Sequence, residues 1–397
     1  MANILFINGP ASGHVNPTLG LVQELVAEGD AIVYLSSEEF RGQVEQPGVT
    51  FLAYENFLDR EDPFETKHFL ALVIKILSAY EIILPAVQEA AASHAFDYLI
   101  HDSMYGCGHV VADMLGVPHI ATCTSLIRAE RLSEQTGNAS EMKENMLLIR
   151  KFAALAARIR SAFGIKRKLE IEQVFFNEGM LNLVFTSAYF QPDREKLGSH
   201  YKFIGPSLTE RRDQAALPPF VGQSDRKLIY ISMGTMFNNV LELYQLMFEA
   251  LASFDGDVIL AAGNRIDLSE LRDIPGNFTV AARMPQLAIL RHADLFITHG
   301  GMNSVNEALY HHVPLIVIPM AADQPINGDR VQALGAGILL HRDTLTSAAL
   351  REAVERLFAN PDYKRCSSRI GDSLRAAGGH RKAMEHIRAF KEQHNLS

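Results

Sequence analysis

The chain has 397 residues, 48% hydrophobic and 21% charged, with a formal net charge of −9. That length exceeds what one ordinary core organises, so two domains are expected, and the composition excludes a disordered chain. The acidic balance argues against nonspecific nucleic-acid binding, and Cys107, Cys123 and Cys366 lack the spacing of a disulfide framework or a metal site.

Asn3 to Ile7 reads as a short buried strand, with neither the basic start nor the apolar length of a signal peptide before the loop Gly9 to Pro17. Leu19, Val22, Leu25 and Val26 then recur at helical spacing, Gly29 closes that helix, and Ala31 to Leu35 is a second strand. Such a βαβ unit implies a parallel sheet with a right-handed crossover. The apolar run Phe69 to Leu77, broken by Lys75, is too short to span a bilayer, so a soluble, cytoplasmic protein is expected.

Strand-like runs follow at Tyr98 to Ile100 and His119 to Thr122, with the helical stretch Gly108 to Leu115 between them. A long helix covers about Glu141 to Phe163, and its basic segment Arg158 to Lys168 reads as a solvated face. Strands resume at Leu181 to Phe185 and Lys202 to Ile204. Gly205 to Lys227 loses all periodicity and has the character of a linker.

Beyond it come strands at Leu228 to Ser232, Val258 to Ala262, Phe278 to Ala282, Leu295 to Thr298, Leu315 to Ile318 and Ile338 to Leu340. Helical stretches such as Val240 to Phe254 and Leu287 to His292 intervene, and a last one runs from about Arg381 to His394. The expected fold is α/β, two Rossmann-like doubly wound domains facing across a cleft. The boundaries fall at residues 1–205, a linker 206–226, a second domain 227–378, and a C-terminal helix 379–397 packing back on the first domain.

In such sheets ligands bind beyond the carboxyl ends of strands. After Leu295 to Thr298 come His299, Gly300, Gly301, Met302, Asn303 and Ser304, and then a helix through Glu307. A glycine turn opening a helix lets an anion reach uncapped N–H groups and the positive end of the helix dipole, which suits a diphosphate. Asn303 and Ser304 could equally be mere caps. Two more polar loops lie after strands, however: Ser232-Met233-Gly234-Thr235, and Pro319 with Asp323, Gln324 and Asn327.

The run His299-Gly300-Gly301-Met302-Asn303-Ser304, with Glu307, Pro319, Asp323-Gln324, Asn327 and the preceding Arg283-Met284-Pro285-Gln286, resembles the donor signature of family 1 glycosyltransferases, most closely the bacterial macrolide-type enzymes. The resemblance implies the GT-B fold, an acceptor-binding first domain, a donor-binding second domain, and UDP-glucose as co-substrate with no tightly bound cofactor. It implies that Met284 and Gln286 contact uracil, that His299, Asn303 and Ser304 hold the phosphates with Ser232 and Thr235, and that Glu307 binds the ribose. Asp323 and Gln324 would bind the sugar. Arg283 stands where many relatives carry an aromatic residue; a guanidinium can also stack on a base.

Glycosyl transfer needs a base to activate the acceptor hydroxyl, and histidine is suited to that near neutral pH. His14, in the loop after the first strand, is the candidate, although a lone histidine at a turn is often structural. An orienting carboxylate should accompany it, and Asp102 is the best placed. His101, or the pair His109 and Asp113, could compete. The run Gly13-His14-Val15-Asn16-Pro17 also resembles the catalytic loop of the same family, which implies His14 as base and Asp102 as its partner in an inverting displacement.

No metal is expected: HExxH is absent near His299, Glu307, His311 and His312, and no Asp-x-Asp is read as a metal motif. A Ser–His–Asp hydrolase lacks its GxSxG elbow. A two-lobed binding protein and a sugar-nucleotide epimerase or hydrolase remain as alternatives. An acceptor pocket in the first domain would draw on Phe57 to Leu77 and Glu141 to Phe163, although such apolar stripes are more often plain core; the expected acceptor is small and largely apolar, such as a macrolide or flavonoid.

Overall fold

A computed structural model describes residues 1–58, 69–127, 139–209, 216–223, 225–234 and 240–396, the side chains of 139–144 excepted. It divides into two compact units. The first comprises Met1–Phe185, Asp193–Ser207 and Gly378–Ser397, and the second Thr186–Pro192 and Leu208–Ala377.

In the first unit, β1 (Asn3–Ile7), β2 (Ala31–Ser37), β3 (Val49–Tyr54), β4 (Tyr98–Asp102), β5 (His119–Cys123), β6 (Leu181–Val184) and β7 (Tyr201–Phe203) form one sheet in the order β3-β2-β1-β4-β5-β6-β7. Every neighbouring pair is parallel. The central strands β1 and β4 are buried at every residue but Asn3, because helices cover both faces of such a sheet. β3, Val-Thr-Phe-Leu-Ala-Tyr, is absent from the sequence reading although Thr50 alone interrupts its apolar residues; it is an edge strand, buried at Val49, Phe51 and Tyr54.

The helix that begins at Phe69 is longer than its apolar start suggests. It runs from Phe69 to Ser93, and by length and composition it could cross a membrane, which corrects the argument from a run ending at Leu77. One side of it, including Val73, Ile76, Leu77, Tyr80, Ile83, Leu84 and Val87, is buried in the first unit. Against it packs the Ala139–Phe163 helix, with Arg158 paired to Glu81 at 2.8 Å.

The C-terminal helix, Gly379–Gln393, lies in the same unit. Ala383, Met384, Ile387 and Phe390 join Leu21, Val22 and Leu25 in one core. Arg388 pairs with Glu28 at 2.5 Å, and Lys391 with Asp30.

In the second unit, β8 (Lys227–Ser232), β9 (Gly256–Ala261), β10 (Phe278–Ala281), β11 (Leu295–Thr298), β12 (Leu315–Val317) and β13 (Gly337–Leu339) form a parallel sheet in the order β10-β9-β8-β11-β12-β13. The boundary between the units is not the single cut expected at residue 205. Thr186–Pro192 belongs to the second unit, where Thr186 donates to Asn306 at 3.1 Å and Arg330 donates to the carbonyls of Phe190 and Tyr189 at 2.7 and 2.9 Å.

Both sheets reverse their strand order once, at β1/β4 and at β8/β11. Loops leaving adjacent strands at such a switch point run to opposite faces and open a crevice between them. Asp102 and Ser232 end β4 and β8, and His14 and His299 lie in the segments that leave β1 and β11.

Candidate active site

In the first unit, the β1–β4 register pairs Ile7 with His101, so the loop after β1 rises beside Asp102. His14 sits in the short helix Ser12–Val15, and its Nδ1 lies 2.6 Å from Asp102 Oδ2. The Asp102 side chain is fully buried and that of His14 is 17% exposed. The other carboxylate oxygen, Oδ1, accepts the backbone N–H groups of Met104 and Tyr105, both at 2.8 Å. A carboxylate so held can only accept, so Nδ1 of His14 donates and Nε2 carries the lone pair.

Two further groups fix the imidazole. Thr124 Oγ1 lies 3.3 Å from Nδ1, and the Tyr105 ring meets the imidazole edge-on with centroids 5.1 Å apart. The rival histidine His101 is buried and bonded elsewhere: Nε2 is 3.0 Å from His119 Nδ1, and Nδ1 is 3.1 Å from the Asp102 carbonyl. Burial holds His101 well below its ordinary pKa, with His119 and His109 adding repulsion. Asp113 is paired with Arg167 at 2.6 Å.

In the second unit, Ser232 and Thr298 are register partners at the ends of β8 and β11. His299 lies between two glycine loops. A Cβ on Gly234 would stand 2.6 Å from its ring, and one on Gly301 2.5 Å from Nε2. Gly234 and Gly300 have φ of +79° and +88°, a region that favours glycine. Burial lowers the His299 pKa to about 4, against the raising effects of Asp323 and of a hydrogen bond with the Ser232 backbone. At neutral pH the ring is therefore uncharged, with one N–H and one lone-pair nitrogen.

Gly301 is the N-cap of the Met302–Tyr310 helix and, being glycine, offers no capping side chain of its own. On that helix Glu307, 4% exposed, accepts from Gln286 Nε2 at 2.6 Å, and Ser304 Oγ lies 3.4 Å from the same nitrogen. Gln286, Ser304 and Glu307, distant in sequence, thus form one polar cluster. The Gln286 backbone N–H donates to the Met284 carbonyl at 2.9 Å, which ties these two residues to each other.

The loop after β12 is held by Gln324, whose Oε1 accepts the N–H groups of Met320 and Ala321 at 2.7 and 2.9 Å. Gln324 thereby shapes the loop that presents Asp323. Asn327 Nδ2 donates to the Gly300 carbonyl at 2.9 Å and to Asp323 Oδ2 at 3.1 Å, joining the glycine turn to the acidic residue. Asn303 is half-buried in the first turn of the Met302–Tyr310 helix. Thr235 lies outside the described residues.

With the Asn264 amide turned so that its oxygen faces Arg283, it accepts from the guanidinium at 3.0 and 2.9 Å. Among the described residues no group of three His, Cys, Asp or Glu side chains is arranged to hold a metal ion. The sequence does contain one Asp-x-Asp, Asp255-Gly256-Asp257, which corrects the reading above. It lies at the amino end of β9, opposite to the glycine loops, and Asp257 pairs with Arg226 at 2.8 Å.

Sequence reasoning missed Asn8, Tyr105, Thr124 and Tyr230, whose hydroxyl donates to Gln286 Oε1 at 3.4 Å. The one available signal was position: Asn8 and Thr124 directly follow strands, where a buried polar residue needs a reason.

Comparison with known proteins identifies the family. A family model described as "Erythromycin biosynthesis protein CIII-like, C-terminal domain" matches residues 245–381. YojK and YdhE of Bacillus subtilis strain 168, each described as an uncharacterized UDP-glucosyltransferase, are 36% and 33% identical. The alignments cover 98% of this chain and 97% of YojK, and 100% of both this chain and YdhE. A crystal structure of the glycosyltransferase of kitacinnamycin superposes with a TM-score of 0.83 at 27% identity, covering 98% of each chain. The chain belongs to the family 1 UDP-dependent glycosyltransferases with the GT-B fold. Its reaction is glycosyl transfer from a nucleotide sugar.

Proposed function

We propose that the chain moves glucose from UDP-glucose onto a hydroxyl of a small, largely apolar acceptor, with inversion at the anomeric carbon and His14 as general base. The observation that carries this reading is the 2.6 Å contact between His14 Nδ1 and the buried Asp102 carboxylate. Asp102 holds the tautomer in which Nε2 accepts a proton, and it stabilises the imidazolium that forms.

As the acceptor oxygen attacks, its proton passes to Nε2, the glycosidic bond to the diphosphate breaks, and UDP leaves with that electron pair. The N–H groups that open the Met302–Tyr310 helix supply donors for the growing charge, with the His299 ring beside Gly301. Asn303, Ser304 and Ser232 line the same loops. Glu307, positioned by Gln286, suits the ribose hydroxyls, and Asp323, presented by the Gln324 loop, suits those of the sugar. Glucose is favoured by the names of the relatives YojK and YdhE, and an apolar acceptor by the erythromycin-type family model. The exposed Met146, Leu147 and Ile149 on the Ala139–Phe163 helix are candidate acceptor contacts. We place the reaction in the cytoplasm, where UDP-glucose is made.

The test is a mass-spectrometric turnover assay with UDP-glucose and a mixture of a macrolide, a flavonol and a simple phenol. A gain of one hexose on an acceptor, lost in His14→Ala, is expected. Near-normal turnover by His14→Ala would overturn the assignment of the base. Free glucose in place of a conjugate would make the chain a sugar-nucleotide hydrolase.

A further inference from the structure

We propose that Asn8 is a positioning residue for His14, acting through the backbone of the catalytic loop. This rests on His14 being the base. Asn8 is the first residue past β1 and has no exposed surface. A buried amide is costly to desolvate unless its donors and acceptor are matched, and here they are.

Its Nδ2 lies 3.0 Å from the His14 carbonyl, 3.2 Å from Thr18 Oγ1 and 2.7 Å from the Tyr34 hydroxyl, and its two N–H groups are shared among these three acceptors. Its Oδ1 accepts the Gly9 N–H at 2.9 Å. The Asn8 main chain is anchored as well: its N–H donates to the Leu35 carbonyl at 3.0 Å, and its carbonyl accepts the Tyr54 hydroxyl. One side chain therefore links β2 to both ends of the loop that carries the base.

A second route from Asn8 reaches the imidazole itself. Gly9, held by Asn8 Oδ1, abuts Tyr105 so closely that a Cβ would stand 2.5 Å from its ring. Tyr105 in turn packs edge-on against His14, and its N–H is bonded to Asp102. Asp102 sets which nitrogen of His14 is protonated, whereas Asn8 sets where the ring stands relative to that carboxylate.

Truncating Asn8 should leave donor binding intact and slow the chemical step, because a displacement of about 1 Å at a reacting group costs on the order of 100-fold in rate. For Asn8→Ala and Asn8→Ser we expect kcat to fall about 10- to 100-fold, with KM for UDP-glucose changed by less than about 3-fold. Tyr34→Phe removes a hydrogen bond from the same buried network but leaves the Asn8 contact with His14. It is expected to lower thermal stability while kcat stays within about 3-fold of wild type.

The deciding measurement is the double-mutant cycle with His14→Ala. If Asn8 acts through His14, Asn8→Ser costs nothing further in that background. An equal loss in both backgrounds, or a kcat loss in Tyr34→Phe as large as that in Asn8→Ser, would overturn the proposal and leave Asn8 a stability residue. A failure of the underlying reading is distinguishable, since His14→Ala would then itself be active. Should Asn8→Ala not fold, Asn8→Ser retains a hydroxyl and carries the test.

Discussion

Asp102 divides its carboxylate between two tasks: Oδ2 holds His14 Nδ1 at 2.6 Å, and Oδ1 takes two backbone N–H groups. Asp102→Asn cannot serve both. With its NH2 towards His14 it forces Nδ1 to accept, which moves the proton onto Nε2 and blocks the base. With its NH2 towards the backbone it faces two donors. We expect kcat to fall by about 10³- to 10⁴-fold with little change in donor KM. Steady-state kinetics decide it: a loss below about 10-fold would mean that His14 does not need its carboxylate.

Glu307 and Gln286 make a second paired contact, at 2.6 Å, with the carboxylate nearly buried. Glu307→Ala should raise the UDP-glucose Kd by about 10- to 100-fold, the scale of a hydrogen bond to a charged group. Because a ribose contact acts alike on the bound ground state and the transition state, kcat at saturating donor should change far less. Calorimetric titration with UDP alone reads the effect without an acceptor, and an unchanged Kd would remove Glu307 from the donor site.

How much of this was legible in the sequence depends on the range of each interaction. β1 and β11 were readable to the residue, because an unbroken apolar run between loops has one interpretation in an α/β chain. β3 was missed, although only Thr50 interrupts its apolar residues. His14, Asp102 and His299 could be proposed because polar residues at or just past strand ends stand where a ligand can reach them, whereas Glu307 rested on the resemblance of the run around it to the donor signature. Thr124 is 110 residues from His14, and Tyr230 is 56 from Gln286. No local pattern encodes such contacts; they exist only once the strand order is known. The seating of His299 between Gly234 and Gly301 is of the same kind.

Gly234→Ala tests that seating. The new Cβ would stand 2.6 Å from the His299 ring, at a backbone φ of +79°. Left-handed backbone at a non-glycine residue costs about 1 kcal/mol, and the clash adds to it. We expect a lower melting temperature and at least about a 10-fold weaker UDP interaction, because the ring must leave its place. Wild-type affinity in a stable Gly234→Ala protein would show that His299 does not meet the diphosphate.

Acid should destabilise the fold earlier than carboxylates alone would. Burial pushes His119, His299 and His311 from 6.5 to about 4, and His101 well below its usual value. Between these limits the unfolded chain binds protons that the native state excludes, so stability is full above about pH 6.5 and falls as the pH drops towards 4. Melting temperatures measured across that interval should decline steadily, and more gently in His119→Gln. A flat profile down to about pH 5 would mean that these histidines titrate normally in the native state.

The C-terminal helix makes a separate prediction about stability. Lys391 is paired with Asp30, whose side chain is 1% exposed, and Asp30 Oδ1 also accepts the Ala2 N–H at 2.8 Å. Lys391→Met leaves that carboxylate buried without its cation, a change that typically costs about 3 to 5 kcal/mol. Asp30→Asn in the same chain removes the stranded charge while its amide oxygen can still accept from Ala2. The double variant should therefore recover most of the loss in a denaturant titration. If Lys391→Met is as stable as wild type, the ion pair is not what fastens this helix, and its apolar residues Ala383, Met384, Ile387 and Phe390 hold it in the core of the first unit unaided.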